Sequence, residues 1–196
     1  MDQYEQQYIN GKWVSSPGGK PYDVVNPATE APTTRITMGT QDDVDQAVAA
    51  AREAFKSFSQ TTREERLALM GRIVEEYQKR IPDLARSMAL EMGAPISFGN
   101  AAQAPIGLGA FMGTAEALKN FEFVEKREGF SVVYEPIGVI GMITPWNWPL
   151  NQICLKVAPA LAGGNTQATP PFWRKSWTQP AFPPVFSIWS RAMARP

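Results

Sequence analysis

EPIGVIGMITPWNWPLNQICLKVAPALAGGNT, residues 135–166, decides how the chain is read. The apolar run Ile137–Thr144 predicts a strand buried on both faces, as in a covered parallel sheet. PWNWP then turns the chain, and Leu150–Leu161 follows as a helix of small and apolar residues stopped by Gly163-Gly164-Asn165. Strand, turn and helix open a βαβ unit, and ligands of such sheets sit at strand carboxyl ends against helix N-termini. Residues 143–149 occupy that place. Pro145 and Pro149 stiffen the turn, and Trp146 offers a flat wall. Asn147 carries a neutral amide suited to an oxygen that becomes negative during reaction. A second reading stays open: a turn asparagine bonding its own backbone, with Trp146 and Trp148 in the core. No G-x-G-x-x-G occurs in the unit, so the usual dinucleotide fingerprint is absent.

Upstream, the signals are local and varied. Tyr8–Val14 reads as a strand pair across an Asn-Gly turn, and Tyr22–Val25 as a further strand. Asp42–Ser59 predicts a helix capped by Asp42, with Ala47, Val48, Ala51 and Phe55 on one face. Thr62 and Glu65 form a capping-box pattern ahead of the stripe Leu69, Met70, Ile73, Tyr77. Pro82 suits the first turn of the next helix, and Gly93 suits its end. A further helix is predicted from about Pro105 to Asn120. FEFVEKREGFSVVYEP changes period and reads as two strands turning near Gly129.

The totals exclude several classes of chemistry. The chain has 196 residues, a mean hydropathy of −0.25 and no net charge, against a partner bound by phosphate neutralisation such as nucleic acid. No apolar run reaches the ~18 residues of a membrane span, and the polar N-terminus is unlike a signal peptide. With one cysteine and no histidine, an internal disulfide is ruled out, a zinc site is nearly so, and no Ser-His-Asp or Cys-His pair can form. No metal is therefore expected, and the cysteine usage points to a reducing cytoplasm.

The residues around the turn belong to a familiar pattern. E-P-I-G-V-I-G-M-I-T-P-W-N-W-P-L at 135–150, running on to K-V-A-P-A-L-A-G-G-N-T, strongly resembles the NAD(P)-dependent aldehyde dehydrogenases. Y-I-N-G-K-W at 8–13, V-V-N-P-A-T-E at 24–30, D-V-D-Q-A-V-A-A-A-R-E-A-F at 43–55 and L-A-R-S-M-A-L-E-M-G at 84–93 agree with it, so the resemblance spans 8–166. It departs at Gly163, where the family usually has alanine. The resemblance implies an α/β fold: the N-terminal part of a Rossmann-type nucleotide-binding domain, with an oligomerisation hairpin, an incomplete sheet and an irregular tail. Residues 1–120 would be the helical and strand part of that domain, 121–134 the hairpin, and 135–166 the first strand–turn–helix of the core. Asn147 matches the oxyanion donor of the family, and Ile143, Thr144, Pro145 and Trp146 match positions lining NAD or NADP. The implied partners are an aldehyde substrate and further copies of the chain, and the implied reaction is aldehyde oxidation to a carboxylic acid. The family's nucleophilic cysteine and general-base glutamate would lie beyond residue 196, which makes the chain a truncated fragment. Cys154, inside the apolar helix, reads as a buried inert thiol.

Residues 167–196 follow other rules. All 19 acidic residues precede them, whereas Arg174, Lys175, Arg191 and Arg195 fall within them, giving −4 before and +4 after. They also hold six of the 17 prolines and three of the six tryptophans. Where the family continues with a K-P-S-E-like segment, this chain has Q-A-T-P. Shifting the codons of 175–190 by one base allows E-I-L-D-x-A-G-V-P-P-G-V-F-N-L-V, which resembles ordinary family sequence. The tail is therefore read as out of frame and disordered, with the next strand of the unit lost. The alternative function is a non-catalytic protein that binds a partner through its helices and hairpin.

Overall fold

The computed structural model describes residues 2–145 and 147–168. Trp146, expected to line the cofactor, and the tail from residue 169 onward, expected to be out of frame and disordered, lie outside the described residues. The chain opens with five short strands: β1 (Asp2–Tyr4), β2 (Gln6–Ile9), β3 (Lys12–Ser15), β4 (Pro21–Val25) and β5 (Pro32–Thr37). β2 and β3 form the expected hairpin, turning at Asn10 and Gly11, both with positive φ (50° and 75°). Those signs match the two-residue turn that follows the twist of paired strands. β5 lies between β1, its parallel neighbour, and antiparallel β4. Neither β1 nor β5 was predicted.

The helices follow their apolar stripes. α1 (Gln41–Phe58) is capped by Thr40 rather than Asp42: Asp43 N–H donates to Thr40 Oγ1 at 3.3 Å, and Thr40 N–H donates to the Asp43 carboxylate at 2.7 Å. Asp42 stands two positions past that cap, already inside the first turn, where it cannot take the capping position. α2 (Arg63–Lys79) has the predicted Thr62–Glu65 capping box. α3 (Ile81–Met92) carries Pro82 in its first turn and ends at Gly93. A short α4 (Ile96–Phe98) passes into a π-helical turn at Gly99–Gln103, and α5 (Pro105–Asn120) follows. The antiparallel hairpin β6 (Val124–Arg127) and β7 (Phe130–Val133) comes next. Met70, Ile73, Leu84, Met88, Phe111 and Leu150 are all buried in one core shared by α2, α3, α5 and α6 (Pro149–Ala162). Full burial of each such side chain stabilises by roughly 1.5–3 kcal/mol.

The strand ahead of the turn is shorter than its sequence implies. β8 covers Val139–Gly141 only, and Ile137 and Ile143 are 87% and 86% exposed. Among the described residues β8 pairs on one edge alone, so its ends are not drawn into a sheet. The expected loss of the following strand is also corrected. β9 (Thr166–Ala168) runs parallel to β8, with Val139 opposite Thr166 and Gly141 opposite Ala168. α6 and the turn 163–165 return the chain beside β8, so the regular fold continues through residue 168. Gln167 and Ala168 thus belong to the sheet rather than to an irregular tail. Among the described residues no helix is long and apolar enough to cross a membrane.

Candidate functional site

The carboxyl end of β8 opens into residues 142–148, and Pro149 starts α6. Side chains alternate sharply along this turn. Met142 and Thr144 are buried, whereas Ile143, Pro145 and Asn147 face solvent. Burying Met142 and Thr144 pins the backbone from beneath, and this leaves Ile143 as an exposed apolar surface that no described residue covers. Trp148, half-buried, packs edge-on against Phe98 with ring centroids 5.7 Å apart and planes at 79°. α4, which carries no periodic signal in the sequence, thereby braces the turn.

Asn147 sits immediately before that brace, exposed, with no described residue engaging its amide. The backbone-bonding reading of this asparagine therefore finds no bond to support it among the described residues. Trp148 takes the N-cap position of α6 without any side-chain hydrogen bond to the first-turn amides. An uncapped helix start leaves N–H donors and a partial positive charge on the side of the turn where Asn147 stands. Of the predicted site residues, Ile143, Thr144, Pro145 and Asn147 lie together on this turn; Thr144 points inward and the others outward.

Cys154, further along α6, is fully buried. The Tyr77 hydroxyl, which donates to the Ala104 carbonyl at 2.8 Å, lies with the thiol around Gly107. Burial pushes the thiol up to about 12, and neighbouring Tyr77 offsets only part of that rise. Such a group stays protonated at neutral pH and is no nucleophile. Gly107 closes the cluster, since a Cβ there would come within 2.9 Å of Cys154 Sγ and closer still to the Tyr77 oxygen.

Two buried charged side chains were not singled out from the sequence. Glu91, near the end of α3, is 6% exposed, and no described residue reaches its Oε2. Burial pushes its carboxyl up to about 9. Arg66, on α2, is 7% exposed, and among the described residues it bonds neutral oxygens only: Thr61 Oγ1 at 2.9 Å, Ala162 O at 3.1 Å and Ser59 O at 3.2 Å. Both continue an apolar stripe, at the spacing of Leu84, Met88, Glu91 and of Arg66, Met70, Ile73, and that is the signal that could have found them.

The model of the aldehyde dehydrogenase family matches residues 13–181, continuing past Thr166 into the segment read as out of frame. Over 172 residues the chain is 44% identical to 3-succinoylsemialdehyde-pyridine dehydrogenase of a Pseudomonas species, covering 87% of this chain and 36% of that protein. A putative aldehyde dehydrogenase of Staphylococcus aureus is 44% identical over 165 residues, covering 84% and 35%. The crystal structure of an aldehyde dehydrogenase from Bartonella henselae superposes with a TM-score of 0.87 at 36% identity, covering 100% of this chain and 41% of that one. Aldehyde dehydrogenase C of Pseudomonas syringae, a mutant complexed with NAD+ and octanal, gives 0.86 at 38% identity, covering 96% and 38%. The chain thus spans about a third of the length of the curated relatives it matches.

Proposed function

The chain belongs to the aldehyde dehydrogenase family, and on that premise we propose that it supplies the cofactor-facing and oxyanion-donating part of an enzyme oxidising an aldehyde to a carboxylic acid with NAD+ or NADP+. The observation that carries the reading is the exposed amide of Asn147 beside the uncapped start of α6, at the carboxyl end of a parallel strand. Members of the family have been crystallised with NAD+, among them aldehyde dehydrogenase C and betaine aldehyde dehydrogenase of Staphylococcus aureus.

The residues present fit such a cofactor. Ile143 is an exposed apolar side chain next to a helix start without a side-chain cap, a pairing that suits a flat ring joined to an anionic group. Ile143, Thr144, Pro145 and Trp146 would hold it. Bound there, the cofactor supplies the hydride acceptor. Asn147 donates a hydrogen bond to the carbonyl oxygen as a nucleophile adds and that oxygen gains charge. A neutral amide does this without a proton transfer, and its placement on a turn fixed by Met142, Thr144 and Pro149 limits reorganisation. Cys154 takes no part, so the attacking thiolate and the base that activates water are assigned to the length of the relatives outside this sequence.

The hairpin at 121–134 is proposed as the surface joining copies of the enzyme. Val124 and Val133 pair across one face and Phe130 lies on the other, 48%, 55% and 59% exposed, apolar surface that a two-stranded element cannot bury alone. The same exposed apolar surface is what favours the second reading, a non-catalytic protein held to a partner. Sequencing the transcript from the codon of residue 160 onward, then assaying the encoded protein for aldehyde-dependent NAD(P)H formation, tests both. A shifted frame that, once restored, continues into a cysteine-bearing region with activity supports the enzyme. A confirmed stop after Pro196, with a stable and inactive product, overturns it in favour of the second reading.

A further inference from the structure

Arg66 is buried between the ends of two helices, and among the described residues no carboxylate is one of its hydrogen-bond partners. Its guanidinium donates to Ser59 O at the end of α1 and to Ala162 O at the end of α6. The last carbonyls of a helix lack internal partners and carry partial negative charge, so two helix ends together compensate one buried cation. The plane also stands 5.9 Å from the centroid of Phe123, at the root of the β6–β7 hairpin. Gly164 is shaped around it. A Cβ at that position would lie 2.6–3.0 Å from guanidinium atoms, and its φ of +76° already disfavours a side chain.

The turn that Arg66 holds has a task of its own. Asn165 N–H donates to Ala160 O at 2.9 Å, which fixes the asparagine on the helix end. Its Oδ1 then accepts from the amides of Ile137 and Gly138, at 2.7 and 3.1 Å. Those two residues lead directly into β8, whose other end carries the 142–149 turn.

We propose that Arg66 is a positioning residue for that turn: it locks the end of α6, Asn165 transmits the lock to the amino end of β8, and β8 sets where Ile143 and Asn147 stand. Only the consequence for catalysis rests on the function proposed above. The mechanical link is independent of it, and the experiment that tests the link needs neither cofactor nor substrate.

Amide hydrogen exchange is followed in the full 196-residue chain, with Arg66→Lys, Asn165→Ala, the double variant and Gly164→Ala. Lysine keeps the charge but cannot span three separated acceptors. Arg66→Lys should speed exchange at Ile137 and Gly138 about tenfold while the amides of α5 keep their protection. Asn165→Ala should do the same, and the double variant should add nothing, because both act on one link. Should Arg66→Lys fail to fold, Gly164→Ala disturbs the guanidinium from the other side and should give the same selective pattern. Additive effects in the double variant would overturn the proposal. So would an even loss of protection over α2, α5 and β8, the mark of a merely structural arginine, or unchanged exchange at Ile137 and Gly138.

Discussion

Replacing Glu91 with glutamine should stabilise the fold above neutral pH and flatten its pH dependence. The carboxyl is buried near the end of α3, and burial pushes it from an ordinary 4.5 up to about 9. Between those values the folded chain keeps a proton that the unfolded chain has released. The unfolded state then binds fewer protons, so the unfolding free energy falls as pH rises. The contribution of the neutral acid is complete below pH 4.5 and is lost on the way to pH 9. The limiting slope is about 1.4 kcal/mol per pH unit, or up to ~4 kcal/mol between pH 5 and 8, a large share of a typical total of 5–15 kcal/mol. Glutamine has nearly the shape of the neutral acid and cannot ionise. At pH 5 the variant should differ from the parent by less than about 1 kcal/mol, and at pH 8 it should be more stable by several. Urea unfolding followed by tryptophan fluorescence at both pH values measures the difference. A variant-minus-parent value that stays the same at pH 5 and pH 8 would refute the reasoning.

Three other substitutions or assays bear on the site and its support. The 196-residue chain should form no NAD(P)H with any aldehyde, and Cys154→Ser should leave that result unchanged; turnover abolished by the substitution would make Cys154 a nucleophile after all. In a protein carrying the whole family length, Asn147→Ala should lower kcat on the order of 10²-fold with an unchanged melting temperature, as for loss of one oxyanion donor. A variant that unfolds but keeps kcat in its folded fraction would make Asn147 a structural turn residue. Gly107→Ala should cost roughly 1–3 kcal/mol, because its methyl meets Tyr77 and Cys154 in a closed core. Cys154→Ala should relieve part of that cost, and equal losses in both backgrounds would show that the methyl is accommodated elsewhere.

Elements with self-contained signals were legible in the sequence. The Thr62–Glu65 box, the Asn10–Gly11 turn, the helix from Pro105 and the hairpin turning near Gly129 each depend on residues within a few positions of one another. β5 was not legible because Thr34, rather than an apolar residue, shares its buried face with Ile36, which blurs the alternation. At α1, Thr40 and Asp43 had the three-residue spacing of a reciprocal cap, and the nearer Asp42 obscured it. The run Ile137–Thr144 announces apolar character correctly but says nothing of what covers it, so Ile137 and Ile143 could not be foreseen as exposed. Asn147 was legible through its turn; the absence of a described hydrogen bond to its amide required coordinates.

Under the function proposed above, the oxyanion donor stands just before α6 while the nucleophile is supplied elsewhere, and α6 itself accounts for that division. Just before its start, Asn147 meets water, and seven residues on Cys154 lies among Tyr77 and Gly107 with no exposed surface. A thiol in that setting ionises only near pH 12, so using it at neutral pH would cost about 1.4 kcal/mol for every unit of that gap. An amide has no such requirement, because it donates equally well at any pH and is correct as soon as it is placed. Placement is what a strand, a proline-stiffened turn and a helix start provide, and all three are local to residues 139–149. A nucleophile instead needs an electropositive, accessible surrounding. The two demands favour different environments, and α6 meets the first at its start while filling the core with the rest of its length.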